Sequence, residues 1–351
     1  MKSQAKIEIV YSISAGLNSM SRASRDSAYR VLSKHYSRVE LTPVNNLSDL
    51  EELVSRMPDL VFLGVKFLLV NPTLGFQDPQ KIWVSTFLDE HSVAYTGSNE
   101  AAHYLEINKP LAKQCVLDAG LQTSAFYVAT QGQAPSSSNI NLNYPVFIKP
   151  TNRCGGQGID SNSVADNYEE LLTKTQSIAS CLQADSLIEE YLPGREFSVA
   201  ILKHEYTDDY SVMPIELIAE PDKRGKSMLS RAVKTSNSEV VAEVTDSHIR
   251  HQISSLALDV FRTIGGRDYG RIDIRLDATG TPQFLEANLL PCLIDGYGSF
   301  PKACKLNLGL DYEVMIMRIV SLGFNRQNKV EEILEPELLD IPLILAQIPV
   351  S

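Results

Sequence analysis

Asp273, Glu286 and Asn288 have the side-chain types and the spacing to make one divalent-cation site, with Arg271 beside it. The run Tyr269-Gly270-Arg271-Ile272-Asp273-Ile274-Arg275-Leu276 alternates apolar Ile272, Ile274 and Leu276 with charged Arg271, Asp273 and Arg275. A polar turn from Asp277 to Pro282 joins it to Gln283-Phe284-Leu285-Glu286-Ala287-Asn288. Alternation around a glycine-containing turn predicts a hairpin with one apolar and one charged face. Side chains two apart on a strand point the same way, so Glu286 and Asn288 share a face. Pairing the strands brings Asp273 level with them. The result is two carboxylates and an amide oxygen, hard ligands of the kind magnesium prefers when it carries nucleotide phosphates, with Arg271 beside them. Taken alone, the same residues also fit a solvated hairpin edge.

Phosphates would have to be delivered to that face. Tyr144-Pro145-Val146-Phe147-Ile148-Lys149-Pro150 reads as a strand ending in a lysine, followed at once by Thr151-Asn152-Arg153-Cys154-Gly155-Gly156-Gln157-Gly158. Glycines such as Gly155 and Gly156 let a backbone approach a phosphate and aim its amides, while Lys149 supplies a fixed cation. No Gly-Lys-Ser/Thr follows, so this is not a Walker loop, and by itself it also fits a plain hairpin turn. Further on, Leu187 to Leu202 places two apolar strands around a linker. Glu189, Glu190, Tyr191 and Leu192 could offer backbone groups to an adenine, and Glu196 could accept from ribose hydroxyls. Two ordinary strands joined by Pro193-Gly194 are the alternative.

The remaining chain supplies elements to hold these pieces. Ile7 to Val10 predicts a strand and Asp26 to His35 a helix; a strand at Val39 to Leu41, a helix at Asp49 to Arg56 and a buried strand at Asp59 to Leu63 follow. A helix around Lys81 to Glu90 closes this α/β alternation. Ile107-Asn108-Lys109 opens a helix running through Leu117, with Gly120 as its stop. Tyr168 to Leu182, His248 to Ile264 and Tyr312 to Ser321 also read as helices. The charged, glycine-bearing stretch between Asp208 and Thr245 suggests a lid. The expected divisions are 1–104, 105–192, 193–324 and a tail, 325–351, that packs on the body or on a second subunit as in a homodimer.

A chain of 351 residues is long enough for two or three cored domains. Its net charge of -11 argues against a nucleic-acid or anionic-membrane surface. The apolar tail is too short and broken to span a bilayer. Five cysteines, at 115, 154, 181, 292 and 304, show no paired spacing, which suits a reducing cytosol and hence a cytoplasmic protein.

The order of these phrases resembles one family. The lysine-led helix at Lys109, the strand-lysine-glycine loop, Ile188-Glu189-Glu190-Tyr191-Leu192, Arg195-Glu196-Phe197, Gly270-Arg271-Ile272-Asp273 and Glu286-Ala287-Asn288 resemble the ATP-grasp ligases, and within them the D-alanine–D-alanine ligase family, from about Ile107 to Pro291. The resemblance implies an α/β protein made of two α+β ATP-grasp lobes and an N-terminal Rossmann-like domain. It implies ATP and Mg2+ (or Mn2+) as cofactors, small-molecule carboxylate and amine substrates, and amide formation through an acyl phosphate with release of ADP. It would give Asp273, Glu286 and Asn288 the metal, Lys109 and Lys149 the phosphates, and Arg271 the oxygens that gain charge. Lys234 looks like the family's lysine for the terminal phosphate, with Lys223 or Lys226 as substitutes.

The substrate loops depart from that pattern. The family's first loop carries a glutamate for an ammonium group, whereas Ser14 to Arg22 contains no acid. After Asn288 the family's Ser-Pro-Gly-Met-Thr is replaced by Leu290-Pro291-Cys292-Leu293-Ile294, with Asp295 to Gly298 inserted before Ser299. An ammonium left without its carboxylate disfavours free D-alanine as first substrate. Arg22 and Lys66 are then candidate carboxylate holders, Asp295 a candidate amine holder, and Ser299 a further substrate contact. A D-alanine–D-alanine ligase with rearranged loops, a weakly active ATP-binding protein and a kinase-like phosphotransferase using the same ATP site remain the alternatives.

Overall fold

The computed structural model describes residues 2–14, 19–138, 140–153, 155–222, 224–228 and 239–334, except for the side chains at 76, 77 and 327–334. The chain begins as an alternation of strand and helix: β1 (Ser3–Tyr11), α1 (Arg22–His35), β2 (Tyr36–Pro43), α2 (Leu47–Ser55) and β3 (Leu60–Leu63). Both β2 and β3 pair with β1 in parallel. Ser21 and Asn46 cap the two helices by accepting from Ser24 N and Asp49 N, satisfying amides the first turn leaves free.

Two expectations change here. Lys81 does not start a helix: β4 (Phe67–Leu69) pairs with β5 (Lys81–Trp83), and α3 (Val84–Glu90) begins only after it. Ile82 and Trp83 suit a strand, and the Trp83 ring meets Phe67 edge-on at 5.3 Å across the ladder. Likewise α4 (Glu100–Ile107) ends where the lysine-led helix was expected to start. Asn108 closes α4 and caps α5 (Lys109–Asp118) by accepting from Leu111 N. Pro110 lacks the N–H that would have carried α4 onward. The expected division after 104 therefore falls inside a helix.

An antiparallel sheet follows, built from β6 (Phe126–Ala129), β7 (Val146–Pro150) and β8 (Val164–Ala165), then α6 (Tyr168–Leu182) and β9 (Ser186–Glu190), in the strand order β6-β9-β7-β8. Val146, Ile148 and Ile188 pack against Leu171 and Ile178 of α6. The next sheet contains β10 (Glu196–Lys203), β11 (Tyr210–Ile218), β12 (Val240–Glu243), β13 (Tyr269–Leu276) and β14 (Pro282–Asn288), ordered β12-β11-β10-β13-β14, with α7 (Ser247–Thr263) between β12 and β13 in sequence. The stretch expected as a lid thus includes two strands; Lys223 and residues 229–238, with Lys234, lie outside the described residues.

One face of the second sheet, through Phe197, Val199, Ile272 and Ile274, packs on Ile253, Val260 and Phe261 of α7. Its other face joins Tyr269 and Ile215 to Phe300 of α8 (Ser299–Leu308), Met315 and Ile316 of α9 (Tyr312–Leu334), and Ile9 and Leu32 of the first unit in a single core. Because α9 runs on to Leu334, the expected division after 324 also falls inside a helix. No helix among the described residues is long and apolar enough to cross a membrane.

A buried charge cluster fastens the first unit to the end of β14. Glu106 on α4 receives Lys66 Nζ at 2.6 Å, His103 Nδ1 at 2.8 Å and the backbone N–H of Leu289 at 2.8 Å. Burial alone would push the Glu106 carboxyl up, but the opposing pull of Lys66 and His103 lowers it from 4.5 to about 2. Glu106→Gln is expected to cost about 3 kcal/mol near neutral pH, because it leaves a buried ammonium uncompensated. A carboxylate with a depressed folded-state value stabilises fully above about 4.5 and ceases to as pH falls through about 2. The stability gap between wild type and variant, read by urea titration, therefore narrows over that acid window.

Candidate active site

The hairpin predicted from sequence forms, with Asp273 opposite Glu286 and Arg271 opposite Asn288. Its register slips by one residue between Asp273 and Ile274, so Leu285 is the extra residue of a bulge. Strict alternation would force Phe284 and Glu286 onto one face. The bulge lets Phe284 enter the core under α7 while Glu286 faces the cleft.

Asp273 is held firmly, its side chain only 9% exposed. Its Oδ1 accepts from Ser198 Oγ at 2.7 Å, and its Oδ2 accepts from Arg271 Nη2 at 3.0 Å and Asn288 Nδ2 at 3.2 Å. Asn288 therefore turns its N–H2 to Asp273 and keeps its oxygen for another partner. Glu286 Oε2 lies 3.6 Å from Lys109 Nζ, which also donates to the Arg153 carbonyl in the glycine loop. Gly155, Gly156 and Gly158 in that loop have φ of 65°, 74° and 80°, a left-handed backbone only glycine adopts cheaply. Two carboxylates and an amide oxygen at opposed positions, with cations around them, fit a magnesium ion and the phosphates it accompanies.

Behind them lies a buried group of which sequence reasoning had named Glu189 and Lys149 but missed Lys113. Glu189 Oε1 is 2.6 Å from Lys113 Nζ and its Oε2 is 2.7 Å from Lys149 Nζ. Burial opposes the charge on Glu189, yet the two ammonium groups outweigh it and lower its pKa. Burial also lowers the pKa of Lys113, whereas for Lys149 the nearby Glu189 and Glu286 overcome burial and raise it. Lys113 further donates to Thr123 and Ser124 hydroxyls and to the Phe284 carbonyl. The available signal was the Lys109-to-Lys113 spacing, which puts both lysines on one helix face. Ser198 and Arg275 were not singled out either. Arg275 bonds Glu196 Oε2 at 3.1 Å and the Ser227 carbonyl at 2.9 Å.

Two cavities meet at this hairpin. The first is lined by Lys149, Glu189, Glu190, Tyr191, Leu192 and Glu196, and also by Met228, Arg275 and Leu285. The second is lined by Ser19 to Ser21, Gly155, Arg271, Asn288, Cys292, Tyr297 and Ser299. Asp273 and Glu286 line both. Lys226 stands near the first, 3.4 Å from Asp166 and 5.1 Å over the Tyr191 ring.

Three substrate candidates are placed elsewhere. Arg22, on the outer face of α1, is 85% exposed and faces Asp26, because the first turn of that helix points it to solvent. Lys66 is buried and committed to Glu106. Asp295 is exposed and lines a separate outer cavity with Lys302 and Asp311, since the inserted turn carries it away from the hairpin.

The model of the family described as D-ala D-ala ligase C-terminus matches residues 116–321, more than half of the chain. The chain belongs to this family. A D-alanine--D-alanine ligase of Alcanivorax borkumensis is 30% identical over 66% of this chain and 70% of its own length. A D-alanine--D-alanine ligase B of Xanthomonas campestris is 27% identical over 87% of this chain and 91% of its own. The crystal structure of a Bacillus anthracis D-alanine--D-alanine ligase complexed with ATP superposes with a TM-score of 0.70 at 15% identity, covering 94% of this chain and 100% of that one. The fold is the α/β ATP-grasp architecture. The protein is an ADP-forming ATP-grasp ligase, and its cofactors are ATP and Mg2+.

In this ligase Lys113 shares Glu189 with Lys149. Lys113→Met would leave Lys149 to neutralise Glu189 alone, drawing its charge from any bound phosphate. Calorimetric titration with Mg-ADP is expected to show affinity about tenfold to a hundredfold weaker, the worth of one charge-assisted contact.

Proposed function

We propose that the ligase holds ATP in the first cavity and joins a carboxylate to an amine in the second, on a substrate pair other than two molecules of free D-alanine. The observation that carries this reading is that Asp273 and Glu286 line both cavities, so a group anchored on them is presented to each. When bound, Mg-ATP supplies the phosphoryl group that turns the carboxylate into an acyl phosphate, and amine attack then gives the amide with ADP and phosphate as the other products.

The chain's residues bind, orient and shield. Asp273, Glu286 and Asn288 would hold the metal, and Lys109 and Lys149 would ground the phosphates, assisted by the amides of Gly155 and Gly156. The linker Glu189 to Leu192 with Glu196 would receive the base and ribose. Lys234, by its place in the sequence, is assigned the terminal phosphate. Arg271 keeps a buried Nε without a partner among the described residues and lines the second cavity, where oxygens gain negative charge during the reaction. No side chain has to act as a covalent nucleophile.

The substrate part of the proposal is supported by the stretch Ser19 to Ser24, which reaches the second cavity without bringing a carboxylate to it. Incubation of the protein with Mg-ATP and pooled amino acids and related acids, read by mass spectrometry, should yield a condensed product other than D-alanyl-D-alanine. Efficient D-alanyl-D-alanine synthesis would instead make the protein a D-alanine–D-alanine ligase with rearranged loops. Asp273→Asn and Glu286→Gln are each expected to lower turnover on the order of a hundredfold or more, with thermal stability little changed in Glu286→Gln and lowered in Asp273→Asn, which takes the carboxylate from buried Arg271. Turnover at the wild-type rate in both would remove the metal assignment.

A further inference from the structure

The wall of the first cavity holds a buried cation to which the reaction described above gives no task. Arg275 lines that cavity, and its side chain is only 9% exposed. Arg271, Asp273 and Arg275 alternate along β13 and so share one face of the strand. Arg271 lines the second cavity, Asp273 both, and Arg275 the first. A guanidinium out of water needs partners in every direction, and the partners Arg275 has found all belong to the base-and-ribose end of the site.

Its guanidinium is divided among three pieces of chain. Nη1 reaches Glu196 Oε2 at 3.1 Å, and the two residues stand directly opposite each other on β13 and β10. Nε donates to the Gly194 carbonyl at 3.1 Å, in the linker that joins β9 of one sheet to β10 of the other. Nη2 donates to the Ser227 carbonyl at 2.9 Å and to the Tyr191 hydroxyl at 3.4 Å, and that hydroxyl donates to the same carbonyl. Ser227 lies between β11 and β12, and Met228 beside it lines the cavity. A planar fork fixes direction as well as charge, so Arg275 sets where the Glu196 carboxylate and the Ser227 backbone stand relative to the linker.

We propose that Arg275 is a positioning residue for the nucleotide: by fixing Glu196 on one side and the Ser227 carbonyl on the other, it makes the ribose hydroxyls a recognised part of ATP. The inference rests on the placement of the ribose at Glu196 in the reading above. Arg275 touches no reacting atom and acts through Glu196. A carboxylate already held by an ion pair has less freedom to lose when it accepts from a ribose hydroxyl, and that preorganisation is what the guanidinium contributes. Removing it therefore weakens ligands that carry ribose hydroxyls and spares ligands that carry only phosphates.

The test is calorimetry with Mg-ADP, its 2′,3′-dideoxy analogue and magnesium tripolyphosphate on wild type, Glu196→Gln, Arg275→Met and Arg275→Lys. Wild type should bind ADP about tenfold to a hundredfold tighter than the dideoxy analogue. Arg275→Met should lose most of that preference, as Glu196→Gln does, while all four proteins bind tripolyphosphate alike. Arg275→Lys keeps the charge opposite Glu196 without the fork and should fall between wild type and Arg275→Met. A preference unchanged in Arg275→Met but lost in Glu196→Gln overturns the proposal and leaves the ribose placement standing. An equal loss of tripolyphosphate affinity in Arg275→Met overturns it too, because the residue would then support the whole site. Should Arg275→Met not fold, Arg275→Lys decides, and a preference equal to that of wild type overturns the proposal. A wild type that binds ADP and the dideoxy analogue equally removes the ribose placement itself, and the proposal with it.

Discussion

The bulge between β13 and β14 is the constraint on which the rest of the site depends. Side chains on a strand alternate, so a hairpin without it would have to choose between burying Phe284 and presenting Glu286. Slipping the register by one residue at Asp273 satisfies both. Phe284 then anchors the hairpin under α7, and its carbonyl receives Thr123 and Lys113, so the packing that seats the hairpin also seats the buried lysine. Ser198, opposite Asp273 on β10, fixes the carboxylate's orientation from the other side.

Around that hairpin the chain maintains charge in places water does not reach. Isolated, each buried ammonium or carboxylate would cost several kcal/mol, so they occur in sets. Glu189 sits between Lys113 and Lys149; Glu106 sits between Lys66, His103 and a backbone amide. The two sets serve different ends. The Glu106 group locks the chain leaving Asn288 to the first unit, while the Glu189 group has two positive charges on one negative and so faces the first cavity with a surplus cation. Such preorganised charge is available to an anionic ligand without reorganisation.

Much of this was legible in the sequence because it depends on local period and order. The alternation in Arg271 to Leu276 gave the hairpin, its charged face and the pairing of Asp273 with Glu286, and the parallel first sheet followed from its runs of buried apolar residues. The strand β5, and the separate helix α4 that stops just before the predicted start at Asn108, were not legible in the same way. Lys81 to Trp83 becomes a strand only because Phe67 lies opposite, and the helix break is set by a cap competing with a proline. Lys113 was missed because its significance is tertiary, defined by Glu189 on another element. Arg22, Lys66 and Asp295 show the converse. Their charge was visible and their direction was not, since a helix turn, a buried partner and an inserted loop each point them away.

In the proposed reaction, phosphoryl transfer to a carboxylate takes place where Asp273 and Glu286 join the two cavities. The most direct measurement uses an acid substrate labelled with 18O in its carboxylate, with Mg-ATP and the amine, and follows the label by mass spectrometry of the released phosphate. One labelled oxygen is expected in inorganic phosphate with the wild type and none with Asp273→Asn. Amide formation with unlabelled phosphate, or undiminished transfer by the variant, would contradict it.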